Sequence, residues 1–220
     1  MKNKTETARE DVPQREDRRP QGPLTARSGT ALWFTGLPGS GKSTLALAVR
    51  EALAARGVEA ELLQMDVRRK VYTPRLTYTD EERELAYALF VEEAAELAAR
   101  GALVLLDASG PKLAMRRAAR ERIGRFAEVH LRCRPATAMA REAARPEGRV
   151  MAGLYAKAMA RKVTGRDFPG LGQVIGVDVP FEEDPGAELV LEADRADVAA
   201  LRDKVLERFE GWWPDPVHRR

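Results

Sequence analysis

Four residues in this chain stand at a spacing suited to phosphate chemistry. Gly36, Gly41, Lys42 and Ser43 complete G-x-x-x-x-G-K-[ST] within Gly36-Leu37-Pro38-Gly39-Ser40-Gly41-Lys42-Ser43-Thr44. Glycine adopts the backbone angles that turn N–H groups inward around phosphate oxygens. A helix starting at the end of such a loop points its positive dipole end at the same oxygens. In that arrangement Lys42 reaches the β- and γ-phosphates and the Ser43 hydroxyl sits on Mg²⁺. The stretch Gly36 to Thr44 is therefore the candidate nucleotide-binding loop. Gly-Ser turns that bind nothing can match the same pattern, so the flanks decide. Ala31 to Thr35 reads as a buried strand and Ser43 to Ala55 as a helix rich in Ala and Leu. Strand, loop and helix follow in the order that phosphate binding needs.

Such loops serve switches, motors and kinases alike. Phosphoryl transfer to an acceptor needs more: a carboxylate for Mg²⁺ or for the acceptor's proton, cations to offset phosphoryl charge, and a cover against water. Asp66 and Asp107 are each expected at the C-terminal end of a strand, where open parallel sheets place ligands. Asp107 ends the apolar run Leu103-Val104-Leu105-Leu106 and suits Mg²⁺. Asp66 then faces the acceptor as a base, or supports Mg²⁺ from behind. Each also suits a helix N-cap. Lys42, Asp66 and Asp107 are thus the candidate catalytic residues, and Ser43 and Asp107 the candidate metal ligands. The candidate cations are Arg68, Arg69 and Arg83, with Arg141, Arg145, Arg149, Arg161, Lys162 and Arg166 in a segment that could cover the site. Most of these are individually as well suited to a solvated surface.

The elements that must position these groups alternate. After the first strand and helix, Arg56-Gly57 reads as a helix end, and Val58 to Met65 as a second strand delivering Asp66. Arg68 to Lys70 suggests a short helical turn, and Tyr72 to Leu76 a loop. Thr79 with Glu82 three residues on forms a capping box for an amphipathic helix reaching about Arg100. Gly101 ends that helix, and the strand closed by Asp107 follows. Pro111 opens a helix to about Arg122, Phe126 to Leu131 reads as a strand, and Ala136 to Ala144 as a helix. Arg145 to Gly176 is the least regular part. Glu188 to Leu191 is the last expected strand and Ala196 to Phe209 the last helix. This alternation predicts an α/β fold: a three-layer α/β/α, P-loop nucleoside triphosphate hydrolase-type domain around a doubly wound parallel sheet. The domain is expected over 30–210, with a lid over about 145–182. A disordered charged tail is expected over 1–29 and a C-terminal tail over 211–220, whose Trp212 and Trp213 pack back on the domain.

Composition is that of a soluble globular protein: of 220 residues, 44% are hydrophobic and 32% charged. The net charge of +3, from 37 basic and 34 acidic residues, is too balanced for a nucleic-acid binder. No run reaches the ~18 apolar residues of a membrane span, and the first residues lack the apolar core of a secretory signal. One cysteine, Cys133, excludes an internal disulfide and a multi-cysteine metal site. It reads as a small buried residue, and the chain as cytoplasmic.

From Leu32 to Leu191 the sequence resembles the adenylylsulfate kinase family. Trp33 to Ala46 is similar to the family's P-loop string. Gly153-Leu154-Tyr155-Ala156-Lys157-Ala158 resembles its G-L-Y-x-K-A lid motif, and Asp178-Val179-Pro180-Phe181-Glu182 its D-x-P-Y-E. The resemblance implies a P-loop kinase fold, ATP and Mg²⁺, and a lid. It implies transfer of the ATP γ-phosphate to the 3′-hydroxyl of adenosine 5′-phosphosulfate as the small-molecule acceptor. It also implies acceptor contacts from Asp66, Arg69, Arg83, Lys157 and Phe168, the last stacking on a base, and a possible homodimer.

The departures lie on the acceptor side. The family's D-G-D-x-x-R reads Gln64-Met65-Asp66-Val67-Arg68-Arg69, so the first Asp is Gln64 while Asp107 is an addition. In D-R-x-E-N-I-R-R, the Asn and Arg positions fall on Ala86, Ala88 and Leu89. The family's S-P becomes Gly110-Pro111. F-T-G becomes Phe168-Pro169-Gly170, with extra residues before Asp178. Three readings follow: an adenylylsulfate kinase, a related kinase with another hydroxyl acceptor (a nucleotide-linked compound, sugar or natural product), and a non-catalytic nucleotide switch. The lid motif argues against the switch.

Overall fold

The apolar run around Trp33 forms β1 (Thr30–Thr35), every residue of which is buried. In the computed structural model, which describes residues 29–144 and 153–214, β1 lies in the middle of a five-stranded sheet. Across the sheet the order is β2 (Glu61–Gln64), β3 (Leu103–Asp107), β1, β4 (Arg125–Arg132), β5 (Leu189–Glu192). All pairings are parallel.

Side chains alternate across a strand, so β1 feeds two cores. Leu32 and Phe34 pack with Leu45, Val49 and Leu53 of α1 (Lys42–Ala55) and with Leu201 and Val205 of α7 (Val198–Arg208). Ala31 and Trp33 face the other way, onto Phe90 of α3 (Asp80–Ala99) and Met115 of α4 (Leu113–Arg122). Both faces are covered, which is why β1 and β3 read as continuous apolar runs. Each large apolar side chain sealed this way contributes roughly 1.5–3 kcal/mol. The remaining helices are α2 (Met65–Tyr72), α5 (Pro135–Ala143) and α6 (Leu154–Thr164). Among the described residues no helix is long and apolar enough to cross a membrane.

Two expectations need correction. The second strand spans only Glu61–Gln64, because its ladder with β3 ends where Gln64 meets Asp107. The chain turns at once into α2, so Asp66 lies in that helix's first turn rather than at a strand end. An acidic side chain there is favoured by the helix dipole. Second, the segment that reads as irregular contains a regular helix, α6, bounded by Gly153 and Gly165 in left-handed conformations. In the Thr79 cap, the hydroxyl accepts from Glu82 N as expected, but Glu82 returns its bond to Tyr78 N, at 2.6 Å, one residue further out. Trp212 and Trp213 pack back on the first core beside Phe209, as expected, and Cys133 is buried. The proposed N-terminal tail up to residue 28, the start of the lid with Arg145 and Arg149, and residues 215–220 lie outside the described residues.

One buried ion pair stitches the sheet to the outer layer. Arg116 of α4 and Glu128 of β4 are 1% and 0% exposed and meet at 2.9 Å. Glu128 also accepts from the Thr35 hydroxyl at 2.8 Å, while the Arg116 guanidinium donates to the carbonyls of Gly110 and Glu182. Desolvation raises the Glu128 pKa against the pull of Arg116. Removing one partner of such a pair strands the other, at about 3–5 kcal/mol.

His130, 3% exposed, stacks on Phe181 at 5.2 Å, and burial lowers its pKa from 6.5. The unfolded chain therefore binds a proton that the folded imidazole refuses. The stability this withholds is fully present above pH 6.5 and lost as pH falls below it, at no more than about 1.4 kcal/mol per pH unit. Urea midpoints measured from pH 7.5 to 5 should fall more steeply for the native chain than for His130→Phe; equal slopes would reject the assignment.

Candidate active site

The loop after β1 is shaped by close backbone contacts. Gly36 has φ 136°, and a Cβ there would lie 2.6 Å from the Leu131 carbonyl oxygen. Gly39 has φ 85°, and a Cβ there would lie 2.2 Å from the Ala138 carbonyl of α5. No side chain fits at either position, so the loop packs directly on β4 and α5. Ser40 N donates to Leu37 O at 3.0 Å, closing the turn, and Gly41 caps α1. Lys42 is the first residue of α1 and is 7% exposed. Its ammonium reaches back over the loop to Leu37 O at 2.9 Å. The N-terminus of α1 thus faces the same space as Lys42 and Ser43.

That space is a cavity of about 140 Å³ at the C-terminal edge of the sheet. Pro38, Gly39, Lys42 and Ser43 line it from the loop, joined by Asp66 and Asp107, and Arg69 lines it beside Tyr78. Tyr78, Arg83 and Tyr87 close the far side, with Gln173 and Val174 of the lid region above. Gly36, Leu37, Ser40, Gly41 and Thr44 shape the loop without lining this cavity. Lys157 and Phe168 also lie outside its lining. Phe168 packs with Tyr155 and Leu171, under the Arg166 guanidinium at 5.1 Å.

The carboxylates are placed by strand register. Gln64 and Asp107 are ladder partners on β2 and β3, and Gln64 Nε2 donates to Asp107 Oδ2 at 3.1 Å. The amide leaves this pair with one negative charge. Asp107 is 6% exposed; Asp66, two residues past Gln64, is more open.

On the far side Glu82 is the organiser. It accepts from Arg69 Nε at 2.9 Å, from the Thr73 hydroxyl at 2.7 Å and from Tyr78 N. Arg69 lies 4.9 Å from the centre of the Tyr78 ring. Burial raises the Tyr78 phenol's pKa. Tyr78 is the one described non-glycine residue with positive φ, 53°. Arg83 is 2% exposed and bonds Asp80 at 3.1 Å, the Gln173 side chain at 3.0 Å and the Gln173 carbonyl at 2.8 Å. Its pKa is lowered by burial first and by the Arg69 charge second. Tyr87 accepts from Gly110 N at 2.9 Å, and burial pushes its pKa up to about 12.

The altered positions of the helix α3 motif do not share one environment. Ala86 is buried in the second core. Ala88 lines a separate groove between α3 and α4, and Leu89 lines neither. Of that stretch only Tyr87 reaches the cavity. Tyr87, Tyr78, Glu82 and Gln173 are site residues that sequence reasoning missed. Only Glu82 carried a signal, as the capping-box acid. Of the other expected cations, Arg68 pairs with Glu93, Arg141 bonds Asp194 O at 2.9 Å, and Arg161 and Lys162 hold lid carbonyls.

The family model described as adenylylsulphate kinase matches residues 28–192. The chain belongs to the adenylylsulfate kinase family. It is 35% identical over 167 residues to a probable adenylyl-sulfate kinase of Archaeoglobus fulgidus, covering 76% of this chain and 97% of that protein. It is 37% identical over 169 residues to the adenylyl-sulfate kinase of Klebsiella pneumoniae, covering 76% of each. The APS kinase of Mycobacterium tuberculosis, solved in complex with AMPPNP and APS, superposes with a TM-score of 0.69 at 29% identity, over 83% of this chain and 98% of that one. Against the family's pattern, the Gln64–Asp107 pair has its carboxylate on β3 rather than β2.

Gln64→Asp would set two carboxylates at one register position. Like charges raise the folded-state pKa of such a pair, so stability is kept at low pH and lost as pH rises through the raised value. The variant's urea-unfolding free energy should match the native chain near pH 3.5, below the unfolded carboxyl's pKa of about 3.9, and fall below it by about 1–3 kcal/mol by pH 8. A pH-independent difference would exclude carboxylate repulsion.

Proposed function

We propose that this chain transfers the γ-phosphate of ATP to the 3′-hydroxyl of adenosine 5′-phosphosulfate. One observation carries the reading. A single cavity joins the loop residues Lys42 and Ser43 to Asp66 and Asp107, and the cations Arg69 and Arg83 line a wall of it beside Tyr78. A nucleotide switch has no use for a second, cation-lined wall. The acceptor identity draws its support from the family and from Arg69 and Arg83, which suit an anionic nucleotide. Ala88 and Leu89 do not line this cavity.

Among the described residues no three His, Cys, Asp or Glu side chains form a closed metal cage. Mg²⁺ on a nucleotide does not need one, since it keeps several waters and takes phosphate oxygens with one or two protein ligands. The Ser43 hydroxyl and the Asp107 carboxylate, oriented by Gln64, fit that donor set. Bound there, Mg²⁺ would offset phosphate charge.

The chain's own groups account for the rest. The loop amides and the α1 N-terminus hold the phosphates, and Lys42 follows charge as it builds on the transferring group. Asp66, at the open edge of the cavity, accepts the hydrogen bond of the acceptor hydroxyl and takes its proton as the new O–P bond forms. Arg69 and Arg83 hold the acceptor's anionic end, fixing the hydroxyl in line. The lid excludes water, so that transfer outruns hydrolysis. A homodimer and a cytoplasmic setting complete the proposal, the latter in keeping with the single buried thiol of Cys133.

ADP release measured over an acceptor panel tests the reading. Adenosine 5′-phosphosulfate should stimulate release strongly; stimulation by a sugar alone would transfer the assignment to another acceptor. Lys42→Ala should lower kcat on the order of a thousandfold, and near-native turnover would reject the loop's role. Asp66→Asn should reduce kcat while leaving the Kd for ATP within about twofold, because the acceptor proton loses its base. Loss of ATP affinity alone would instead place Asp66 on Mg²⁺.

A further inference from the structure

The residues between Phe168-Pro169-Gly170 and Asp178, in excess of the family pattern, fold inward onto the cavity rather than outward into solvent. Leu171, Gln173, Val174 and Ile175 all line it. The segment is tied on itself. Asp178 Oδ2 accepts from Val174 N at 2.7 Å, and the Asp178 and Val179 amides both donate to Val174 O. Leu171 and Val174 pack against Tyr155 and Ala158 of α6. One residue leaves this knot to grip the opposite wall. Gln173 offers its side-chain and main-chain oxygens to Arg83, and its N–H donates to Tyr78 O at 3.3 Å. A Cβ at Gly172 would lie 2.1 Å from the Tyr78 Cβ, a measure of how closely the two walls approach. Arg83 Nε is buried and has no hydrogen-bond partner among the described residues.

We infer that Gln173 is a specificity-determining residue: it occupies, on Arg83, the place that an anionic group of the acceptor takes, so that only a phosphate- or sulfate-bearing acceptor displaces it. The inference rests on the kinase reading above. A bond between two ionised groups is stronger than one from a guanidinium to a neutral carbonyl. An anion therefore gains by exchanging with the Gln173 amide, and it can also engage the idle Nε–H through the guanidinium fork. A neutral polyol offers Arg83 nothing better than it already holds. Release of Gln173 and admission of the acceptor are then one event. The apparent affinity scales with the fraction of molecules in which Gln173 has let go.

Two variants of the full chain carry opposite expectations. Gln173→Ala removes the side-chain half of the competitor, leaving only the main-chain carbonyl on Arg83, and should lower the KM for adenosine 5′-phosphosulfate on the order of tenfold, with the KM for ATP unchanged. Gln173→Glu installs a charged competitor and should raise the same KM by at least as much, the rise shrinking at high salt. Hydrogen exchange in the ligand-free chain reads the contact without turnover: amides of residues 171–177 should exchange faster in the Ala variant and slower in the Glu variant. A raised acceptor KM in Gln173→Ala would overturn the inference, since Gln173 would then be holding the acceptor. Exchange unchanged in both variants would overturn it whatever the acceptor. Shifted exchange in a chain that ignores adenosine 5′-phosphosulfate would support the contact and reject the proposed activity.

Discussion

Parallel strand register collects the chemistry of this molecule. Every strand of the sheet delivers its last residue to the same edge, where backbone N–H and C=O groups are no longer used in ladders. Phe34 is paired with Asp107, and Asp107 with Gln64. The start of the phosphate loop, the β3 carboxylate and the amide that steadies it therefore lie within two strand spacings, about 10 Å. Both faces of β1 must be buried for this to hold, which the two cores around Leu32–Phe34 and Ala31–Trp33 achieve.

Charge is handled by pairing rather than by exposure. Glu82 takes Arg69 Nε, the Thr73 hydroxyl and Tyr78 N at once, so one carboxylate pairs with one guanidinium and orders the turn ahead of α3. Arg116 and Glu128 form a second such pair beside the last residue of β1, tying β1, α4 and the end of the lid region together. Arg83 is the exception. Its carboxylate partner, Asp80, is half exposed, its Nε has no partner among the described residues, and its best-placed oxygens come from a glutamine of the lid region. A buried cation held by one half-exposed carboxylate and two neutral oxygens has binding capacity in reserve, and it lines the cavity.

The phosphate loop was legible because its requirements are local. Glycines at 36 and 39, a lysine one residue past Gly41 and a helix directly after them express the geometry within nine positions. The strand ending at Asp107 was legible for a similar reason, since a strand buried on both faces writes itself as an uninterrupted apolar run. The second strand was overextended by the same logic. Val58 to Met65 is apolar enough for a strand, but a strand exists only where a neighbour accepts its hydrogen bonds, and β3 offers four such positions. Asp66 therefore rides on a helix instead.

Of the acceptor wall only Arg69 and Arg83 were legible in the sequence. Successive helical residues point about 100° apart, so Ala86, Tyr87, Ala88 and Leu89 face a core, a cavity, a groove and neither pocket, respectively. The sequence by itself determined the fold class, the donor loop and the two carboxylates, because each follows from spacing along one element or one turn. Only the tertiary structure decided that Gln64 steadies Asp107, that Glu82 gathers Arg69 and Tyr78, and that Gln173 lies on Arg83. The last pair is 90 residues apart, and no local pattern specifies a contact that exists only once α3 and the lid region have packed across the same cavity.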